Sequence, residues 1–186
     1  MRGVSKEQRY LWHSNRIEGI DYPIGRYFEW KHSIINEISG HAKAFDYMEK
    51  HCKTNLTEKR ILKMHELLTK GLVHDKYAGK YRDVPVYIGG REGMIPIGIK
   101  PAMVRLVKQI KNVKTEQDCW DIHDAFEWIH PFIDGNGRTG RLILNWLRKN
   151  IGLSLFIVSF DDRWKYYHKI EEKKFLIDLE TFARNK

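Results

Sequence analysis

The residues of this chain best suited to chemistry stand together from His130 to Arg141, in the order H-P-F-I-D-G-N-G-R-T-G-R. Pro131 stiffens the exit from the preceding helical pattern, and Gly135 and Gly137 permit positive φ and close backbone approach. A turn of this kind running into a helix aims the N–H groups of residues 135–138 outward, where the helix dipole favours an anion. Arg138 and Arg141 are three apart, so they share one face of the first helical turn. They add two guanidinium forks suited to phosphate oxygens. Asp134 offers a hard oxygen ligand beside that pocket, the usual way in which Mg²⁺ is held between carboxylate and phosphates. His130, of a residue type with a pKa of about 6.5, can accept a proton near neutrality. A base, a metal ligand, an amide cradle and paired arginines point to nucleotidyl or phosphoryl transfer to a hydroxyl.

The elements that must position these groups are mostly helical. Residues 5–18 start on a Ser5 cap and stop before Gly19. Tyr22–Gly25 reads as a turn, and residues 28–52 place Trp30, Ile34, Ile38, Phe45 and Met48 near helical spacing, with Gly40 as a weak point. Thr57 offers a cap to a helix whose apolar side is Ile61, Met64, His65 and Leu68, ending at Gly71. Residues 79–97 alternate around Gly89-Gly90 and Gly93 and predict a hairpin, with Pro85 and Pro96 confining it to an exposed edge. Helical spacing returns at 101–111, 116–129 and 138–150, and further helical segments are expected over 161–186. The fold class is therefore all-α, one helical domain over 1–186 with one small β-hairpin.

Composition bounds the rest. The chain has 186 residues, with 42% hydrophobic and 12% aromatic content, enough to bury a core as one domain. No stretch has the length and apolarity of a transmembrane helix, and the N-terminus lacks the apolar region of a signal peptide. Cys52 and Cys119 are too few for a disulfide scaffold and read as buried thiols, so a cytoplasmic setting is expected. His65-Glu66 lacks the second histidine of a zinc motif, so no zinc site is expected. The net charge of +9 favours an anionic partner, whether nucleic acid, an acidic protein or a phosphorylated small molecule, and also suits plain solubility. Residues 100–114 carry five cations without an acid, but the spacing spreads them around a helix as a solvated face. With no separate domain for a recognition helix, a nucleic-acid-binding regulator is the weaker rival to an enzyme.

The segment 130–141 resembles the signature of the Fic family, H-x-F-x-[D/E]-G-N-G-R-x-x-R, with every specified position matched. The likeness extends to the upstream G-K-Y-R…V-Y-I-G hairpin and the downstream D-R-W-K-Y-Y. In the related Doc branch a lysine replaces the second glycine of the motif, whereas this chain has Gly137. The resemblance implies a Fic-type helical domain that transfers AMP from Mg·ATP to a protein hydroxyl. It implies that His130 deprotonates a Ser, Thr or Tyr of the target and that Asp134 holds Mg²⁺. Gly135, Asn136 and Gly137 would cradle phosphate, with Asn136 stabilising charge at the α-phosphate. Arg138 would support the β-phosphate and Arg141 the γ-phosphate. By a looser analogy Val86, Tyr166 and Tyr167 would border the adenine.

A second match lies at the end of the first helix, where Ser14-Asn15-Arg16-Ile17-Glu18-Gly19 fits the family's inhibitory pattern [S/T]-x-x-x-E-[G/N]. The resemblance implies that Ser14, Glu18 and Gly19 are regulatory, with Glu18 pairing with Arg141 in place of the γ-phosphate. It also leaves open a de-AMPylase, in which the same glutamate supports removal of AMP, or a transferase of another nucleotide. The hairpin 79–97 would be a flap that registers a target protein by strand addition. Self-modification and homo-oligomerisation are further partner states open to such a chain.

Overall fold

A computed structural model describes residues 3–168 and 170. The elements follow one another as α1 (Lys6–Ile17), α2 (Asn36–His51), α3 (Glu58–Thr69), β1 (Tyr87–Ile88), β2 (Arg91–Glu92), α4 (Pro96–Ile110), α5 (Glu116–Ile129) and α6 (Asn136–Asn150). Short 3₁₀ turns at Ile24–Tyr27 and Trp30–His32 join α1 to α2. The fold is all-α with one strand pair, as the sequence predicts.

α1 and α5 start on reciprocal capping boxes. Ser5 Oγ accepts from the Gln8 N–H at 3.1 Å while Gln8 Oε1 accepts from the Ser5 N–H at 2.7 Å. Thr115 and Asp118 repeat the arrangement at the start of α5. α6 is the central helix and packs on α1, α2, α3 and α5. Leu142, Ile143, Leu144 and Trp146 are fully buried there, in a core cluster that draws on every labelled helix. The two cysteines are free and buried.

Three expectations need correction. The helix expected over 28–52 begins only at Asn36, and Ile34 is 97% exposed. The Ser33 hydroxyl accepts from the Ile35 N–H at 3.2 Å, a local turn that competes with helix at that point. Gly40 is a requirement and no weak point: a Cβ there would lie 2.6 Å from the Leu68 carbonyl, so glycine lets α2 and α3 approach closely. α4 starts at Pro96 in place of 101. Pro96 suits the first helical turn, and Pro101 inside the helix forfeits only the bond to Ile97, whose residue is 84% exposed.

The hairpin is confirmed but small. Tyr87 pairs with Glu92 and Ile88 with Arg91, across a turn in which Gly89 and Gly90 both have positive φ. At the other end of the chain, residues 163–168 are helical, and the remainder of the helical segments expected to residue 186 lies outside the described residues.

Candidate active site

α5 ends and α6 begins on either side of the motif, and two left-handed residues bracket the turn. His130 has φ 48° and ψ 60°, and Gly135 has φ 75°. A non-glycine residue in that region costs on the order of 1–2 kcal/mol and persists only where its neighbours fix it. Those neighbours are on both sides of the His130 peptide: its N–H donates to Phe126 O at 3.0 Å, and its carbonyl accepts from Arg82 Nε at 2.9 Å.

Inside the turn the motif closes on itself. Asn136 Oδ1 accepts from the Phe132 N–H and Asn136 Nδ2 donates to the Phe132 carbonyl, both at 2.9 Å. Asp134 Oδ1 accepts from the Gly135 N–H at 2.6 Å. Beneath it His65 stacks on Phe132, with centroids 3.7 Å apart and planes 6° from parallel. His65 Nδ1 accepts from the Gly79 N–H at 3.0 Å, so its Nε2 carries the hydrogen that faces Asp134 O at 3.0 Å. Burial pushes the His65 pKa down to about 4, which keeps the ring in this neutral form.

His130 Nδ1 lies 3.3 Å from Glu127 O, an acceptor that places the ring hydrogen on Nδ1 and the lone pair on Nε2. Burial holds the His130 pKa below its ordinary value despite the Glu127 carbonyl, so the ring is a free base at neutrality. Within α6 the Thr139 N–H donates back to Gly135 O at 3.0 Å, which leaves the N–H groups of Asn136, Gly137 and Arg138 aimed beyond the helix. Arg138 is buried and reaches Asp134 Oδ2 at 3.3 Å, while its Nε and Nη1 have no hydrogen-bond partner among the described residues.

Arg141 is 1% exposed and faces α1. Its Nε donates to Ser14 Oγ at 2.9 Å, and its Nη2 donates to Ser14 O at 2.9 Å and to Glu18 Oε1 at 2.7 Å. Glu18 Oε1 also occupies the place where a Cβ on residue 137 would lie, so this carboxylate sits over the first turn of α6. α1 is locked in that position by Asn15, which donates to the Tyr27 hydroxyl at 3.0 Å and accepts from His41 Nδ1 at 2.7 Å. Gly19 follows with φ 78° and ends the helix.

The structure thus brings together His130, Asp134, Gly135, Asn136, Gly137, Arg138, Arg141, Ser14 and Glu18 on one side of α6. Tyr166 lies nearby, its hydroxyl 2.9 Å from His123 Nε2 and its ring 5.8 Å from the Arg141 guanidinium, buried with Ile17 and Val158. Tyr167 donates to Ile17 O at 3.3 Å. Val86 is on the hairpin, where its carbonyl accepts from the Gly93 N–H at 2.8 Å.

The chemistry of the donor set bears on a metal. Among the described residues no three His, Cys, Asp or Glu side chains cluster as a metal cage. Asp134, 59% exposed, is a single carboxylate beside the cradle, which suits a Mg²⁺ ion completed by phosphate oxygens. The sequence assigned no role at this site to Arg82, His65 or Glu127. Arg82 stood inside the quoted G-K-Y-R and His65 on the apolar face of α3, whereas Glu127 follows His123 by four residues on α5, a polar pair at helical spacing that could have drawn attention.

The Fic/DOC family pattern matches residues 55–147, half of the chain. A protein adenylyltransferase Fic of Drosophila erecta is 34% identical over 140 residues, covering 72% of this chain and 28% of its own length. One from Nematostella vectensis is 26% identical over 182 residues, covering 88% of this chain and 42% of its own. The chain therefore spans less than half the length of the curated relatives it matches. Among solved structures, Fic-1 (residues 134–508) of C. elegans superposes with a TM-score of 0.78 at 23% identity, over 93% of this chain and 56% of that one. A Fic family protein from Desulfovibrio desulfuricans gives 0.77 at 24% identity, over 91% and 57%. Both confirm the fold.

Proposed function

Because this chain belongs to the Fic/DOC family, we propose that it is a protein adenylyltransferase restrained by its own first helix. The observation that carries the reading is the placement of the Glu18 carboxylate on Arg141, over the helix start that would receive phosphate. The free N–H groups of α6 and the unpartnered nitrogens of Arg138 suit the α- and β-phosphates of ATP, and Arg141 suits the γ-phosphate.

His130 Nε2 takes the proton of a Ser, Thr or Tyr hydroxyl on the target protein, and the resulting oxygen attacks the α-phosphorus in line with departing pyrophosphate. Asn136 keeps the turn closed and adds an amide dipole near the developing charge. Asp134 would hold a Mg²⁺ ion, which supplies neutralising charge for the phosphates when bound with the nucleotide. The hairpin beside His130 offers an exposed strand edge to the target segment. Val86, Tyr166 and Tyr167 border the base, and the protein works in the cytoplasm, either on other proteins or on itself.

The test is incubation of wild type, Glu18→Gly and Glu18→Gly/His130→Ala with labelled ATP, Mg²⁺ and cell lysate, read by mass spectrometry. Glu18→Gly adds an adenylyl group to lysate proteins or to itself far faster than wild type, and the double variant adds none. Equal labelling by wild type and Glu18→Gly would sink the restraint, and labelling that survives His130→Ala would sink the mechanism. Loss of AMP from a pre-labelled protein, faster with wild type than with Glu18→Gly, would favour the reverse reaction.

A further inference from the structure

Arg82 lies just before the hairpin and is almost fully buried. Its guanidinium donates to three carbonyls on three segments: Nε to His130 O at 2.9 Å, Nη1 to Val84 O at 2.8 Å and Nη2 to Met94 O at 2.6 Å. Its backbone N–H donates to Pro131 O at 2.9 Å. Val84 and Met94 are the two roots of the hairpin, on either side of β1 and β2. A ladder of two residues per strand contributes little rigidity of its own, so the roots decide where the hairpin sits. A Cβ on Gly93 would lie 3.3 Å from Arg82 Nη2, so the neck of the hairpin leaves just enough room for the fork.

We propose that Arg82 is a positioning residue that couples the hairpin to His130, so that a protein segment docked on the hairpin and the histidine that meets its hydroxyl are held in register by one side chain. The proposal rests on the reading of His130 as the base and of the hairpin as the target edge. The coupling follows from geometry. The left-handed His130 has its carbonyl direction set by Arg82 Nε, and the same planar group sets the distance between the two hairpin roots. A shift of either root moves the fork, and the fork moves the His130 peptide. Lysine has the charge but neither the plane nor the three divergent donors, so it cannot hold three carbonyls at once. Among the described residues Arg82 has no hydrogen bond to the α6 phosphate cradle and touches the nucleotide side only through the hairpin that carries Val86, so its effect falls chiefly on the acceptor side of the reaction.

The test uses the full chain with Arg82→Lys and, as a milder perturbation that leaves Arg82 in place, Gly93→Ala. Amide hydrogen exchange is followed in residues 84–94 and 129–132. Arg82→Lys speeds exchange in both segments together, by about tenfold or more, and Gly93→Ala moves both in the same direction to a smaller extent. In the Glu18→Gly background, with ATP and Mg²⁺ and the chain itself or lysate proteins as acceptor, Arg82→Lys lowers kcat by about tenfold or more with KM for ATP within about twofold. Faster exchange confined to 84–94, with 129–132 unchanged, overturns the coupling. So does a fall in kcat matched by an equal weakening of ATP, because that pattern means general loosening. If the Glu18→Gly protein transfers nothing at all, the reading of His130 as base fails, while the exchange measurement still decides the coupling.

Discussion

Arg141 on α6 donates to Glu18 at the end of α1 at 2.7 Å, across 123 residues of chain. Arg141 is essentially shut off from solvent and Glu18 is 28% exposed, so the pair has one buried and one partly wetted partner. Burial alone would disfavour the guanidinium charge, and the Glu18 carboxylate outweighs it, holding the arginine's proton more firmly than usual. The carboxylate therefore does two things at once: it neutralises a buried cation, and it fills the helix start where an anion is favoured.

Replacing Glu18 by glutamine keeps the shape and removes the charge. Arg141 is then left buried without an anion, at an expected cost of about 1–3 kcal/mol of stability. Mg·ATP can supply the missing negative charge, so it should stabilise Glu18→Gln more than wild type. Urea unfolding of both proteins with and without ATP checks this. An equal increment for the two would mean that the phosphates never replace the carboxylate.

Gly137→Ala separates the two duties of that helix start. The new Cβ collides with Glu18 Oε1, the far end of a flexible side chain, which can swing aside. Alanine in place of glycine within a helix is worth up to about 1 kcal/mol, so the fold should tolerate the change. The Cβ nevertheless fills the cradle. Gly137→Ala should therefore lose the Glu18–Arg141 pair, as Glu18→Gly does, yet show weak ATP binding and little transfer. Isothermal titration with ATP distinguishes the variants: Glu18→Gly binds more tightly than wild type and Gly137→Ala less tightly.

Much of the site was legible because its chemistry is local. Twelve consecutive residues carry the base, the carboxylate, the cradle and both arginines, and turn and helix-start rules apply to such a run without any knowledge of the fold. The Glu18–Arg141 contact needed the family resemblance, since spacing cannot relate α1 to α6. What stayed hidden are groups that act through the backbone of distant segments. Arg82 binds carbonyls, His65 joins Gly79 to Asp134, and Asn15 donates to the Glu37 carbonyl. Carbonyls and N–H groups are the same at every position, so no residue type announces such a contact. The start of α4 was misplaced because Pro96 read as part of the hairpin edge and Pro101 as the first-turn proline, whereas Pro96 takes the first turn and Pro101 lies inside the helix, where it forfeits only a bond to the exposed Ile97.

His65→Phe isolates one of those hidden supports. Phenylalanine can keep the stack on Phe132, whereas the Gly79 N–H and the Asp134 carbonyl lose their partner. Each unpaired group costs about 1–3 kcal/mol where water cannot reach it. The expected result is a folded but less stable protein in which Asp134 is no longer held at the edge of the cradle. Transfer should then require more Mg²⁺, and a titration of rate against Mg²⁺ should move to higher concentration. An unchanged Mg²⁺ requirement would show that Gly135 and Asn136 position Asp134 without help.

The second carboxylate near Arg141 gives a pH dependence. Glu127 lies on α5 with its Oε1 buried and without a hydrogen-bond partner among the described residues, 3.8 Å from His123 Nε2. Burial pushes its pKa up to about 8, with the charges of Glu18 and Asp124 adding to the rise and Arg141 opposing it. The folded protein thus binds a proton that the unfolded chain releases near pH 4.5. Stability from this group is complete below the unfolded value and is lost as pH rises through about 8, at about 1.4 kcal/mol per unit of separation. Glutamine mimics the protonated form at every pH, so Glu127→Gln should match wild type near pH 4 and exceed it increasingly from pH 5 to pH 8. Unfolding free energies measured for both proteins across that range give the difference directly. A difference that stays flat with pH would place an ionised carboxylate at Glu127, compensated by Arg141 in the same way as Glu18.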